Sequence, residues 1–252
     1  MRDSAPRDPT APRIAPDCDV AVRSLSMRQW WQRLTFVHWD YEPAVVQRLL
    51  PASLRVETFD GRAWVGLVPF FMRVAPRGLP ALPLLLRFPE TNVRTYVTAP
   101  DGSTGVWFFS LDASRLLAVV TGRSFWRLPY CWSQMRVRRE GDVMTYTCRR
   151  RWPGPVRSEL AIRIGTALGH ETSDLEHWLT ARWQLFAVDV RGVRRGRVEH
   201  MRWPLQRAEW LGGDTNLVTS AGLPAPTARP LVHWAEAVAV RVGWPEHVAA
   251  RS

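Results

Sequence analysis

The sequence predicts an α+β domain built mainly of antiparallel strands. Three observations carry that reading. Short apolar runs with strand alternation recur along the chain, four tight turn signals of Asp-Gly or Gly type separate them, and helical periodicity is confined to three short stretches. The first turn, Asp60-Gly61, sits between 54–59 and the apolar run 63–70, the pattern of a two-residue hairpin. Pro100-Asp101-Gly102 divides 93–98 from 106–111, Glu140-Gly141-Asp142 divides 135–139 from 143–149, and Arg191-Gly192 divides 183–190 from 193–198. Residues 235–242 alternate Ala, Val and charge as one more strand. The helical candidates are 42–50, with Pro43 in its first turn, a segment capped by Asp112 that carries Leu116, Leu117, Val119 and Val120, and 175–182 capped by Asp174. Many strands with few helices suit a curved sheet or barrel. The 14 Trp residues are expected mostly in the core or in a pocket wall.

The 252 residues carry 46% hydrophobic and 23% charged side chains, which excludes global disorder. Residues 1–26, rich in Pro, Ala, Asp and Arg, are expected to form a disordered tail, and 27–252 a single domain. The most apolar stretch, 79–88, is interrupted by Pro80, Pro83 and Arg87 and is too short to span a bilayer. The first 26 residues lack the apolar stretch of an export signal, so the expected compartment is cytoplasmic, with no membrane partner. Cys18, Cys131 and Cys148 are odd in number and lack metal-ligand spacing, which fits a reducing compartment and no structural zinc.

All 34 basic residues are arginine. The chain contains no lysine, so no side chain offers the primary amine that a Schiff base requires. The formal charge of +11 concentrates in 123–151 and 191–207. Runs such as Arg149-Arg150-Arg151-Trp152 suggest nucleic-acid binding; the competing reading is a charged hairpin surface, and strong basicity alone gives only nonspecific attraction. Alternation sends Arg149 and Arg151 to one face of their strand and Arg150 to the other, so one face could reach an internal pocket. No Gly-x-Ser-x-Gly elbow, Walker loop or dinucleotide fingerprint occurs, and no cofactor is implied.

Glu90, Asn92, Arg94 and Tyr96 alternate along one strand and therefore share a face. Arg94 can clamp a carboxylate and Glu90 can move a proton; the same alternation also suits an ion pair on a solvated sheet. Tyr130 offers a phenolic acid or a hydrogen-bond donor, or simply packs beside Trp126 and Trp132. His38, His200 and His233 are candidates for a base or ligand-binding role, without the spacing of a metal motif.

Several strings, in this order, resemble one family. They are Phe36-x-His38-Trp39, Phe59-Asp60-Gly61-Arg62-Ala63-Trp64, Phe88-Pro89-Glu90-Thr91-Asn92-Val93-Arg94-Thr95-Tyr96-Val97 and Gly105-Val106-Trp107-Phe108-Phe109-Ser110-Leu111-Asp112-Ala113. Leu128-Pro129-Tyr130, Trp203-Pro204-Leu205 and Pro230-Leu231-x-His233 complete the series. Together they resemble the uncharacterised bacterial YqjF-like family across 27–250. The resemblance implies the acetoacetate decarboxylase-like fold, a curved antiparallel sheet around a deep funnel. Decarboxylase relatives place a lysine where Tyr130 or Cys131 stands here, and the family's usual Thr-Glu-Arg reads Thr180-Ala181-Arg182. The expectation is a protein that binds a small, carboxylate-bearing metabolite. Arg94, Asn92, Tyr96 and His38 would contact it, with Glu90 and Tyr130 as the acid–base pair of any lysine-independent lyase, isomerase or hydrolase step. A non-catalytic ligand-binding or sensing module is the alternative and a nucleic-acid partner the weaker one; a homo-oligomer is compatible with either.

Overall fold

The computed structural model describes residues 18, 21–78 and 86–249. Residues 79–85 of the apolar stretch, and residues 1–17, 19 and 20 of the expected tail, lie outside the described residues. The strands are β1 (Leu25–Tyr41), β2 (Arg55–Val56), β3 (Thr58–Phe59), β4 (Arg62–Pro76), β5 (Arg87–Thr98), β6 (Thr104–Ala113) and β7 (Tyr130–Glu140). They continue as β8 (Val143–Trp152), β9 (Arg157–Ala167), β10 (Gln184–Asp189), β11 (Gly192–His200), β12 (Gln206–Thr215), β13 (Leu231–Gly243) and β14 (Glu246–His247). The helices are short: α1 (Pro43–Gln47), α2 (Leu116–Phe125), α3 (Asp174–Thr180) and α4 (Leu217–Ser220). Among the described residues no helix is long and apolar enough to cross a membrane.

The turn chemistry sets the hairpins. Asp60 and Gly61 both take positive φ, 50° and 73°, between β3 and β4, the backbone that a two-residue hairpin needs and that few residues other than Asn, Asp and Gly tolerate. Gly102, Gly141 and Gly192 turn the chain at the other three expected points, also with positive φ. The first strand begins before residue 27, inside the segment expected as a tail. Leu25 opens β1, Val22 is buried with its amide donating to Glu199, and the Ser26 hydroxyl donates to the Val242 carbonyl at 2.8 Å.

All strands belong to one sheet, in the order β14-β11-β10-β6-β7-β8-β9-β12-β13-β1-β4-β5-β2, with β3 paired to β4. Two further pairings, β6 with β5 and β11 with β13, close it on itself. The result is two loops of strands that share β13, β1, β4, β5 and β6. Most pairings are antiparallel; β6 pairs in parallel with β7 and with β10, and α2 supplies the crossover from β6 to β7.

The shared wall is covered on both faces, and the period-2 alternation sorts its side chains. On β5, Val93 joins one apolar core with Leu67 of β4, Val37 of β1 and Met144 and Ile162 from β8 and β9. The opposite face carries Glu90, Asn92, Arg94 and Tyr96, beside a second cluster containing Leu34, Phe70, Met72 and Phe88. Burying both faces explains why residues 90–97 of β5 are all buried although only Val93 and Val97 are purely apolar.

Three expectations need correction. Asp112 caps no helix: it lies inside β6, fully buried, and α2 starts at Leu116 with Arg115 in the capping position. The cap of α3 is Ser173 rather than Asp174. Its hydroxyl accepts from the Glu176 amide while the Glu176 carboxylate accepts from the Ser173 amide, a reciprocal capping box. Arg150 does turn inward while Arg149 and Arg151 stay exposed, but it meets Asp112 rather than a pocket. Its Nε and Nη2 donate to the two Asp112 oxygens at 2.8 and 2.6 Å.

The arginines of 191–207 are largely engaged in surface ion pairs. Arg195 and Arg197 share Glu246, Arg195 also reaches Asp101, and Arg194 meets Asp189. Most of the 14 Trp side chains are buried or half-buried, with Trp152 and Trp244 among the exposed apolar groups.

Candidate functional site

The smaller loop of strands encloses a cavity of about 440 Å³, within the usual range of small-molecule sites. Its walls come from β1, β4, β5, β6, β10, β11 and β13, and α2 closes one side. Most lining residues are apolar. The polar ones are few: Glu90, Asn92 and Arg94 of β5, Arg182 in the link between α3 and β10, Gln184 at the start of β10 and His200 at the end of β11, besides Gln29, Thr121, Thr180 and the Tyr130 hydroxyl.

Four of the six expected site residues meet here: Glu90, Asn92, Arg94 and Tyr130 all line the cavity. Strand alternation projects Glu90 and Asn92 inward. The same alternation carries Arg94 to that face, since β5 stays in register with β4 through Arg94. The bulge at this level lies on β6, where Phe109 is the extra residue between the partners of Val93 and Arg94. Tyr130 arrives from the first position of β7, and its hydroxyl donates to Glu90 Oε2 at 3.1 Å. Gly122 of α2 makes room for it, since a side chain at that position would overlap the Tyr130 ring.

The other two expected residues stand behind the cavity wall. Tyr96 and His38 are completely buried and absent from the lining. Tyr96 Oη donates to the Leu179 carbonyl at 2.7 Å and lies 2.7 Å from His38 Nε2. With its one proton committed to Leu179, the phenol accepts from the imidazole, which fixes the His38 proton on Nε2 and leaves Nδ1 unpartnered. Burial, reinforced by the nearby Arg94 charge, holds His38 well below the usual histidine range, so it is neutral. The covering element is α3, whose C-terminal carbonyl occupies the Tyr96 hydroxyl. That interaction depends on tertiary packing and leaves no trace in the alternation of β5.

Charge is distributed unevenly at the closed end. Arg182 is buried and bonded to Glu57 Oε2 at 2.5 Å and to the Trp178 carbonyl at 2.8 Å, with its guanidinium over the Tyr96 and Trp178 rings. Arg94 has no such carboxylate among the described residues. It donates to the Leu179 carbonyl at 3.2 Å and packs over the Phe36 and Tyr96 rings, while its Nε is buried without a partner. Arg182 Nη2, Asn92 Oδ1 and Gln184 Oε1 are likewise buried and unpartnered. Desolvation raises the Glu90 carboxyl to about 8, only partly offset by the Tyr130 hydrogen bond and assisted by the Asp112 charge. Glu90 is therefore mostly protonated at neutral pH and cannot neutralise Arg94. Burial also lowers His200. The closed end carries two guanidiniums against the single carboxylate of Glu57, a net positive charge inside an apolar chamber.

In the sequence Arg182 is marked only within Thr180-Ala181-Arg182, with no sign that it reaches the cavity, and Gln184 carries no signal, because the direction of the link into β10 depends on where α3 docks. The three candidate histidines do not converge. His38 meets Tyr96, His233 Nε2 meets Glu176 Oε1 at 2.8 Å, and His200 lies against Trp31, Trp183 and Trp203. Among the described residues no group of three His, Cys, Asp or Glu side chains is placed to hold a metal ion.

The model of the DUF2071 family, described as an uncharacterized conserved protein, matches residues 28–239. The chain belongs to this family. Uncharacterized protein YqjF of Bacillus subtilis (strain 168) is 36% identical to it over 213 residues, covering 83% of this chain and 87% of that protein. Solved structures show the fold of this DUF2071 protein. Acetoacetate decarboxylase from Legionella pneumophila superposes with a TM-score of 0.63 at 12% identity, covering 99% of this chain and 98% of that one. An acetoacetate decarboxylase-like enzyme from Sphingomonas wittichii RW1 gives 0.63 at 14%, with 95% and 99% covered. The enduracididine biosynthesis enzyme MppR, solved with pyruvate, gives 0.64 at 12%, with 98% and 100% covered. The expected acetoacetate decarboxylase-like architecture is thus the fold of this DUF2071 chain. Its lack of lysine separates it from any chemistry that needs an imine on a side chain.

Proposed function

We propose that this DUF2071 protein binds a small carboxylate-bearing metabolite in the cavity, with the anion on Arg94 and the Asn92 amide beside it. The observation that carries this reading is the Arg94 guanidinium, buried, uncompensated by any described carboxylate and facing the cavity. A buried charge without a partner is costly, and a ligand carboxylate relieves that cost with charge-assisted hydrogen bonds. The fold neighbour solved with pyruvate supports the reading by analogy of architecture.

Glu90 lies two residues from Asn92 on the same face, about 7 Å along the strand. A ligand anchored at Arg94 presents its carbons to that carboxyl. Protonated, and held by Tyr130, Glu90 serves as a general acid, and after losing its proton as a base. No imine intermediate forms on a side chain in this scheme. Tyr96 and His38 act as supports for the Arg94 and Leu179 backbone region rather than as ligand contacts.

Isothermal titration with butanoate tests the anion site. Arg94→Gln, with its fold checked by circular dichroism, is expected to weaken binding about 30-fold or more, the usual scale for losing one partner of a buried charge pair. Equal affinity for both proteins overturns the assignment.

A further inference from the structure

We propose that the ligand is an amphipathic monocarboxylate that enters head first, with an apolar body several carbons long lying along the cavity walls. The proposal rests on Arg94 as the anion site and adds the chemistry of the rest of the molecule. It comes from the order of lining residues along the strands. From the closed end outward, β5 presents Arg94, Asn92, Glu90 and then Phe88. Across from them, β4 places Val68 opposite Asn92, Phe70 opposite Glu90 and Met72 opposite Phe88. On the next strand Trp31 stands opposite Met72, and Met27 opposite Pro76.

Polarity falls along this axis from Arg94 to Phe88, and exposure rises beyond the Phe88 and Met72 row, which is itself buried like Glu90. The Arg94 and Asn92 rows are 8% and 5% exposed, and Val68 beside them 1%. The outer rows at Val74, Pro76, Met27 and Gln29 are half-buried, and Leu117 of α2, which also lines the cavity, is 56% exposed. The mouth therefore lies at the apolar end and the net positive charge at the closed end. Six residue steps of extended strand lead from Arg94 to Phe88, about 20 Å of wall. Beyond the Glu90 row that wall is Phe88, Met72, Trp31 and Trp203, with Gln29 and Thr121 as polar groups near the mouth.

A short polar acid bound at Arg94 leaves these aromatic and aliphatic walls facing water. A longer apolar body removes that surface from solvent, and each added methylene then strengthens binding by about fourfold. Neutral Glu90 fits this picture, since an ionised carboxylate halfway along the channel would repel an incoming anion.

The test is a calorimetric series on the unaltered protein with acetate, butanoate, hexanoate and octanoate, plus octanamide as the uncharged control. The expected result is affinity rising about fourfold per methylene, with octanoate well above octanamide. A flat series from acetate to octanoate overturns the amphipathic ligand while leaving the anion site standing. Octanamide binding as tightly as octanoate overturns the charged head group, and with it the function proposed for Arg94.

Discussion

Asp112→Ala is expected to destabilise the protein by about 3–5 kcal/mol, the cost of stranding a buried charge. Asp112 is completely buried and Arg150 is 7% exposed. Both oxygens of the carboxylate accept from Arg150, and the Ser133 hydroxyl adds a third bond at 2.6 Å. These residues join β6, β7 and β8 at the point where the two loops of strands diverge. The parallel pairing of β6 with β7 there spans only three residue pairs, Leu111 with Tyr130 through Ala113 with Trp132, so side chains supply much of the fastening. Alanine leaves the guanidinium without its counter-charge and the Ser133 hydroxyl without its acceptor. Urea denaturation measures the loss. The double replacement Asp112→Leu with Arg150→Met is expected to recover most of it, because removing both charges also removes the desolvation cost. A single-variant loss below about 1 kcal/mol, the scale of a surface pair, would contradict this role.

Glu90→Gln is expected to abolish a large pH dependence of stability. The folded carboxyl is raised to about 8 against an ordinary value of 4.5, so between those values the folded state holds a proton that the unfolded state has released. Its contribution is complete below about pH 4.5 and is lost as pH climbs through about 8. Within that window the wild type loses up to about 1.4 kcal/mol per pH unit relative to the variant. Glutamine cannot ionise, and its amide still offers an acceptor to Tyr130. Subtracting the two melting curves at each pH from 4 to 9 isolates this group from every other titration. The variant should gain on the wild type as the solution becomes more alkaline, and parallel curves would mean that Glu90 is not held protonated.

The parts of this structure legible in the sequence are those set by near neighbours. Asp60-Gly61, Gly141 and Gly192 dictate turns through their own backbone preferences, and each turn is where it was expected. The face shared by residues 90, 92 and 94 follows from strand periodicity. Closure of the sheet through β6–β5 and β11–β13 pairs residues remote in sequence, and no local pattern announces it. Asp112 shows the limit of a local rule. Placed before Leu116 and Leu117 it has the signature of a helix cap, yet a buried arginine 38 residues later claims its carboxylate. Tyr96 illustrates the same limit within the site, because the correct face was legible but the docking of α3 over its outer end was not. Arg182 reaches the cavity through that same docking.

The most direct test of the account is a crystal structure of the protein with 4-bromobenzoate, whose bromine reports the orientation of the bound acid. The carboxylate is predicted within hydrogen-bonding distance of Arg94 and Asn92, with the bromine toward Phe88 and Met72. A bromine at the Arg94 end, or an acid bound only outside the cavity, contradicts the central claim that this buried guanidinium is an anion site.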